Sequence, residues 1–176
     1  MFEEYLFDAN EFLQKADSLS EQESKKYYRA SIFYIFSAIE AFVNYIGDTI
    51  EKGGGAQQFE VAFLTDRKFG LEKDEFKITP KSEYHKIEEK LRYLIKKYAK
   101  NTNIINTNSW ANFKDFKKLR DSIVHPRASE DSIPKEQYQK LVQDGLDSVI
   151  DIINDICKGY FNKPLRLRLL ELKSSN

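Results

Sequence analysis

The sequence is poor in the residues that cross-link or interrupt a chain. Its 176 residues include one cysteine, four prolines and seven glycines. A single cysteine excludes a disulfide within the chain, and Cys157 lies on an apolar helical stripe, so we expect a small core side chain there. Because glycine and proline are scarce, long stretches are free to form helices. Hydrophobic residues at 41% and charged residues at 32% exclude a disordered chain.

An excess of charge of one sign is also missing, since 28 basic residues balance 28 acidic ones. The charges are unevenly spread, however: basic residues outnumber acidic ones from Lys81 to Arg120, whereas 2–23 and 130–155 are acidic. A neutral chain with segregated charge can still present a positive groove to phosphate groups. The alternative is that these lysines form solvated helix faces, paired with acidic neighbours.

A basic leader and a long apolar run are lacking as well. The chain begins Met-Phe-Glu-Glu, which is acidic where a secretion signal is basic. The most apolar run, Ile32 to Ile46, is interrupted by Glu40 and Asn44 and is too short to span a bilayer. We therefore expect a cytoplasmic protein with no membrane partner.

Apolar residues at helical spacing dominate the chain. The stripes and their end signals predict helices over 2–19, from the Ser20 capping box to the glycines at 53–55, from Thr79-Pro80 to Lys100, from Ser109 to His125, and from Pro134 to Gly159. Residues 56–79 form an irregular insertion, with a possible short helix over 59–64 and a small hairpin near Phe69 and Phe76. The apolar tail, 162–176, is expected to dock on its own bundle or on a second subunit. We predict an all-α antiparallel bundle of four to five main helices in one domain, 1–176, with its core at about 20–160.

The segment 119–126, Leu-Arg-Asp-Ser-Ile-Val-His-Pro, places an arginine and one of only two histidines near the end of a helix. Arg120 offers a fixed charge and a planar fork of donors to phosphate oxygens, and His125 can accept or donate a proton near neutral pH. Asp121 precedes His125 by four residues, so it is expected to orient the imidazole and raise its pKa. Pro126 ends the helix, which predicts an exposed His125. The alternative is structural: His125 complements the helix C-terminus and Arg120 pairs with an acidic neighbour.

These residues resemble the Arg-(polar)-x3-5-His signature of HEPN domains, an all-helical superfamily that includes many metal-independent RNases and toxins. The segment 37–44, Ser-Ala-Ile-Glu-Ala-Phe-Val-Asn, is similar to the acid-containing second helix typical of that superfamily, and the order of elements matches over most of 27–157. The resemblance implies a homodimer in which two Arg/His pairs line one cleft. The superfamily also contains many members that only bind RNA or another protein. A subgroup neutralised by a nucleotidyltransferase has a tyrosine two residues after the histidine, where this chain has Arg127.

The leading hypothesis is a metal-independent endoribonuclease of the HEPN type, without a cofactor, acting alone or as the toxin of a toxin–antitoxin or phage-defence system with an antitoxin or other partner protein. Its catalytic residues would be Arg120, His125 and Asp121. The expected RNA contacts are Lys117, Lys118, Ser122 and Arg127. The other histidine, His85, has no partner at ligand spacing, which predicts a partly exposed surface residue and no metal site. The alternative function is a non-catalytic dimerisation module that binds RNA or protein.

Overall fold

A computed structural model describes residues 1–125 and 133–174, and the chain is mostly helical over those ranges. The predominantly helical class predicted from the sequence is confirmed. The elements in chain order are α1 (Phe2–Asp17), α2 (Glu21–Gly53), α3 (Gln58–Leu64), β1 (Arg67–Glu72), β2 (Glu75–Ser82), α4 (Ile87–Tyr98), a 3-10 turn (Thr102–Asn106), α5 (Asn108–Val124), α6 (Lys135–Tyr160) and α7 (Leu167–Leu170).

Helix α2 is the centre of the bundle, since α1, α3, α4, α5 and α6 all pack against it. It is long and apolar enough to cross a membrane by length and composition, which the interrupted run at 32–46 did not suggest. More than half of its apolar window is nevertheless buried inside the bundle, as in the core helix of a helical protein. The hydrophobic cluster around α2 runs from Leu6 to Leu169, so α1 and α7 contribute to the core beyond the predicted 20–160.

Helices joined by short links are antiparallel. The start of α1 lies against the later part of α2, where the rings of Phe2 and Phe42 are 5.3 Å apart, and the end of α1 lies against the start of α2, where Tyr28 donates a hydrogen bond to Asp17. Because only Ser18 to Ser20 join the two helices, no other arrangement lets their apolar faces meet.

Helices α2 and α6 instead run in the same direction. Tyr28 meets Tyr138 near their starts, with ring centroids 5.3 Å apart, and Tyr45 meets Phe161 near their ends at 6.0 Å. The predicted antiparallel bundle is therefore wrong for this pair, because α2 and α6 are far apart in sequence and the intervening chain returns to the same end.

The insertion contains the short helix and the hairpin that the sequence predicted. Phe69 and Phe76 stack across the two strands at 6.0 Å, and the turn residues Lys73 and Asp74 both have positive φ, the geometry of a tight two-residue hairpin. The predicted helix start at Thr79-Pro80 is wrong, since β2 continues to Ser82 and α4 begins only at Ile87. Pro80 lies where the strand register shifts, a position that tolerates a missing N–H.

Two other predicted helix ends differ from the structure. Thr107, not Ser109, precedes α5, and the Ser109 hydroxyl donates a hydrogen bond of 2.9 Å to Asp151 on α6. Helix α6 continues past Gly159 to Tyr160. A Cβ on Gly159 would lie 1.7 Å from the carbonyl oxygen of Tyr98, so this glycine permits close packing against the end of α4 rather than stopping its helix.

The C-terminal tail docks on its own bundle. Leu165 and Leu169 are buried, and both Arg166 and Arg168 pair with Glu3 of α1 at 3.1 Å. Leu167 is exposed and Leu170 and Leu172 are partly buried, so the stretch has fewer apolar side chains left for docking on a second subunit. Cys157 is buried as predicted, and that burial raises the pKa of its thiol to about 12.

Candidate functional site

Helix α5 is fixed in rotation by aromatic side chains that point into the core. Its buried residues are Trp110, Phe113, Phe116 and Leu119. Phe116 packs directly onto Gly145 of α6, where an added Cβ would lie 2.3 Å from its ring. This contact brings α5 close to α6 and leaves Lys117, Arg120 and His125 on the other faces of the helix.

His125 lies at the exposed end of α5, as the proline argument predicted. The helix ends at Val124, and the backbone N–H of His125 still donates to the carbonyl oxygen of Asp121 at 3.0 Å. Its side chain is exposed and has no hydrogen-bond partner among the residues that the structure describes. Among the described residues, nothing therefore holds the imidazole in place.

Arg120 is held against α2. Its guanidinium carbon lies 4.2 Å from the centroid of the Phe36 ring, and Nη1 donates to Asp121 at 3.1 Å. The side chain is 27% exposed, and its buried Nε has no hydrogen-bond partner in the described chain. An arginine stacked in this way is restrained in orientation while keeping part of its donor fork available.

Asp121 is engaged by two cations of its own helix. Lys117 Nζ donates to one carboxylate oxygen at 2.7 Å, and Arg120 donates to the other. Burial acts to raise the pKa of Asp121, but these two hydrogen bonds hold it below its usual range. Over the described ranges the carboxylate makes no hydrogen bond to the imidazole of His125, so an orienting role for Asp121 stays a prediction.

The expected RNA contacts differ in how available they are. Lys117 is paired with Asp121, and the hydroxyl of Ser122 donates to the carbonyl oxygen of Leu119 at 2.7 Å. Lys118 is largely exposed, although its ammonium lies 2.8 Å from Asp115. Arg127 lies outside the described residues. Lys118 is therefore the best placed of the three to reach a phosphate.

Further lysines and arginines of the basic segment also pair within the protein. Arg92 pairs with Glu88 at 3.5 Å, and Lys97 contacts Glu60. These pairs favour the alternative of solvated, self-paired helix faces for this part of the segment.

Glu40 of α2 is a site residue that the motif did not include. It is half-buried, and this burial raises the pKa of its carboxyl, although the positive charges of Arg120 and Lys90 offset part of the effect. The sequence signal was a carboxylate inside an apolar run, which is costly unless it is solvated or used.

A cavity of about 170 Å³ lies beside Glu40, between α2, α4 and the chain on either side of the hairpin. On its wall, Lys90 is only 3% exposed and its Nζ lies 2.6 Å from Asp66, whose other carboxylate oxygen accepts the backbone N–H of His85 at 2.8 Å. The His85 ring packs 4.8 Å from that of Phe63 and is partly exposed, as predicted.

The region thus contains a restrained guanidinium, Arg120, whose charge acts on the half-buried carboxyl of Glu40, and an exposed imidazole, His125, at the end of the same helix as the arginine. Within 1–125 and 133–174, no three histidine, cysteine, aspartate or glutamate side chains are grouped so as to hold a metal ion. No protein-family model, curated protein or solved structure matches the chain.

Proposed function

We propose that the protein is a metal-independent endoribonuclease of the HEPN type. The observation that carries the proposal is that α5 ends with an exposed histidine, His125, and carries near that end an arginine, Arg120, which Phe36 restrains. Arginine supplies the charge and His125 the proton transfer that cleavage of a phosphodiester needs.

In the proposed reaction the ribose 2′-oxygen bonds to phosphorus and the bond from phosphorus to the 5′-oxygen breaks. His125 accepts the proton of the 2′-hydroxyl, or it donates a proton to the leaving 5′-oxygen. Arg120 stabilises the negative charge that develops on the non-bridging oxygens. The products are a 2′,3′-cyclic phosphate and a free 5′-hydroxyl, and DNA, which lacks the 2′-hydroxyl, is spared.

We also propose that the active form is a homodimer. One subunit contributes one His125, whereas the reaction benefits from both an acid and a base, so a second copy would bring the other group to a shared cleft. Sedimentation is expected to show a dimer at micromolar concentration. A monomer under those conditions would contradict the composite site.

A binding module is the second candidate, and one observation favours it. Arg120 pairs with Asp121 and stacks on Phe36, and such an arginine already has a structural use without any chemistry. In that case the same surface would recruit RNA or a protein without cutting. In the toxin hypothesis the protein is the same enzyme, and an antitoxin or other partner protein inhibits it.

The two candidates are separated by measuring RNA cleavage with His125→Ala and Arg120→Ala. Each change is expected to lower the rate by roughly 10²- to 10⁴-fold while thermal unfolding stays close to wild type for His125→Ala, because that side chain is exposed. Arg92→Ala is the matched control, since it removes an arginine that also stacks on an aromatic ring, that of Trp110. Salt-sensitive RNA binding without cleavage by the wild type would favour the module.

A further inference from the structure

The cavity beside Glu40 is lined by charged groups of both signs. Its one buried cation, Lys90, is already paired with Asp66, and Glu40 adds a second carboxyl to the lining. Two carboxyl groups oppose an anion such as phosphate, and the lysine ammonium opposes a metal cation. The lining therefore suits an uncharged ligand with polar edges.

Two side chains on one face of α2 offer unused hydrogen-bonding groups to such a ligand. Glu40 and Asn44 are four residues apart and both line the cavity. In the described part of the chain, neither side chain hydrogen-bonds to another protein group. Together they present carboxyl and amide oxygens as acceptors and an amide donor.

The remaining lining is apolar or aromatic and includes the imidazole of His85, which packs against Phe63. Val43 and Ile87 contribute aliphatic surface, and Tyr84, 78% exposed, contributes an aromatic ring at the cavity. A volume of about 170 Å³ equals the liquid share of between five and six water molecules, at roughly 30 Å³ each. That space suits one planar ring system.

We propose that this cavity binds a nucleobase of the RNA strand, with Glu40 and Asn44 reading its hydrogen-bonding edge and Tyr84 stacking on its face. The inference rests on the proposed ribonuclease function and names the specificity of the same site. Guanine is the expected base, because its adjacent N1–H and N2–H₂ donors match the two oxygens of one carboxylate.

The cavity adjoins the motif through Glu40. Arg120 stacks on Phe36, which lies one turn before Glu40 on the same face of α2, and its charge acts on the Glu40 carboxyl. A base held by Glu40 would thus present its attached phosphate to Arg120. Cleavage is accordingly expected next to the bound base, rather than at arbitrary positions.

The test measures binding of the full chain to uncleavable 2′-O-methyl RNA oligomers that carry one guanine, adenine or cytosine in a uridine background. The guanine oligomer is expected to bind on the order of 10- to 100-fold more tightly than the all-uridine oligomer. Glu40→Gln and Asn44→Ala should abolish this preference, so that each variant binds the guanine oligomer no more tightly than it binds the all-uridine oligomer. Asp48→Ala, one turn further along α2 and outside the cavity, is the matched control and should bind as the wild type does.

Two additional measurements test the stacking contact and the kind of ligand. Tyr84→Phe should keep the affinity for the guanine oligomer and Tyr84→Ala should lower it, which separates stacking from a hydroxyl contact. Free guanosine monophosphate should compete weakly; if it binds as tightly as the oligomer, the assignment to an RNA strand is overturned. Equal binding of all four bases, no binding, or a preference that survives Glu40→Gln overturns the cavity proposal even if RNA is cut. A base preference without cleavage overturns the ribonuclease instead.

Discussion

Replacing Gly145 by alanine tests the packing between α6 and α5, the helix that carries Arg120. A Cβ there would lie 2.3 Å from Cδ2, 2.5 Å from Cγ and 3.0 Å from Cβ of Phe116, a side chain with no exposed surface. Because neither helix can move without opening the core, overpacking should cost about 1–3 kcal/mol, of which the better helix propensity of alanine offsets up to about 1 kcal/mol. A net loss of about 1–2 kcal/mol corresponds to a melting temperature lower by roughly 2–8 °C for a chain of this size.

Thermal unfolding monitored by circular dichroism measures this effect, and Gly53→Ala is the control. Gly53 has no atom within 4 Å of an added Cβ and no positive φ, so the same substitution should be neutral or slightly stabilising. Adding Phe116→Leu to Gly145→Ala should give a smaller loss than the sum of the two single changes, because the shorter side chain removes the clash. A Gly145→Ala protein that melts at or above wild type, or strictly additive losses, would refute this account of the α5–α6 contact.

Three other outcomes follow from the site. Glu40→Gln should raise the melting temperature at about pH 8 more than at about pH 4: the pKa of Glu40 is raised on folding, so wild-type stability falls as the pH rises through that raised value. A melting temperature of Glu40→Gln below that of the wild type at about pH 8 would mean that the attraction of Arg120 and Lys90 for the carboxylate outweighs the cost of burying it. Arg120→Lys should impair RNA cleavage nearly as much as Arg120→Ala, since lysine keeps the charge but not the planar fork that stacks on Phe36; near wild-type rates would contradict this. Phe36→Leu should lower the cleavage rate while the protein remains folded. An unchanged rate would show that Phe36 does not contribute to the site.

The helices could be predicted because their apolar stripes are long and regular. The stripe of α2 and the inward aromatics of α5 both appear in the structure as buried faces. Helix ends were harder. Proline at 80 suits both a first helical turn and a strand with a register shift, and only the pairing of β1 with β2 decides between them. Gly159 is typical of a helix end, but a glycine is needed there because the carbonyl oxygen of Tyr98 leaves no room for a Cβ.

The candidate site, too, could be predicted only in part. Arg120 and His125 belong to one short segment, so their spacing and the following proline were enough to place them at a helix end. The cavity instead joins α2, Asp66 and the start of α4, which are far apart in sequence. No local sequence pattern predicts that Lys90 will pair with Asp66, because that pairing depends on how the insertion folds back onto α2.

Cleavage of RNA in the presence of a chelator tests the central claim most directly. The wild-type chain should cut RNA with excess EDTA, leave 2′,3′-cyclic phosphate ends, and spare a substrate that carries a 2′-deoxyribose at the cleaved position. His125→Ala should lose this activity by at least about 10²-fold while remaining folded. Cleavage that persists in His125→Ala, or a wild type that leaves diverse RNAs intact, would contradict the assignment of Arg120 and His125 as the catalytic pair.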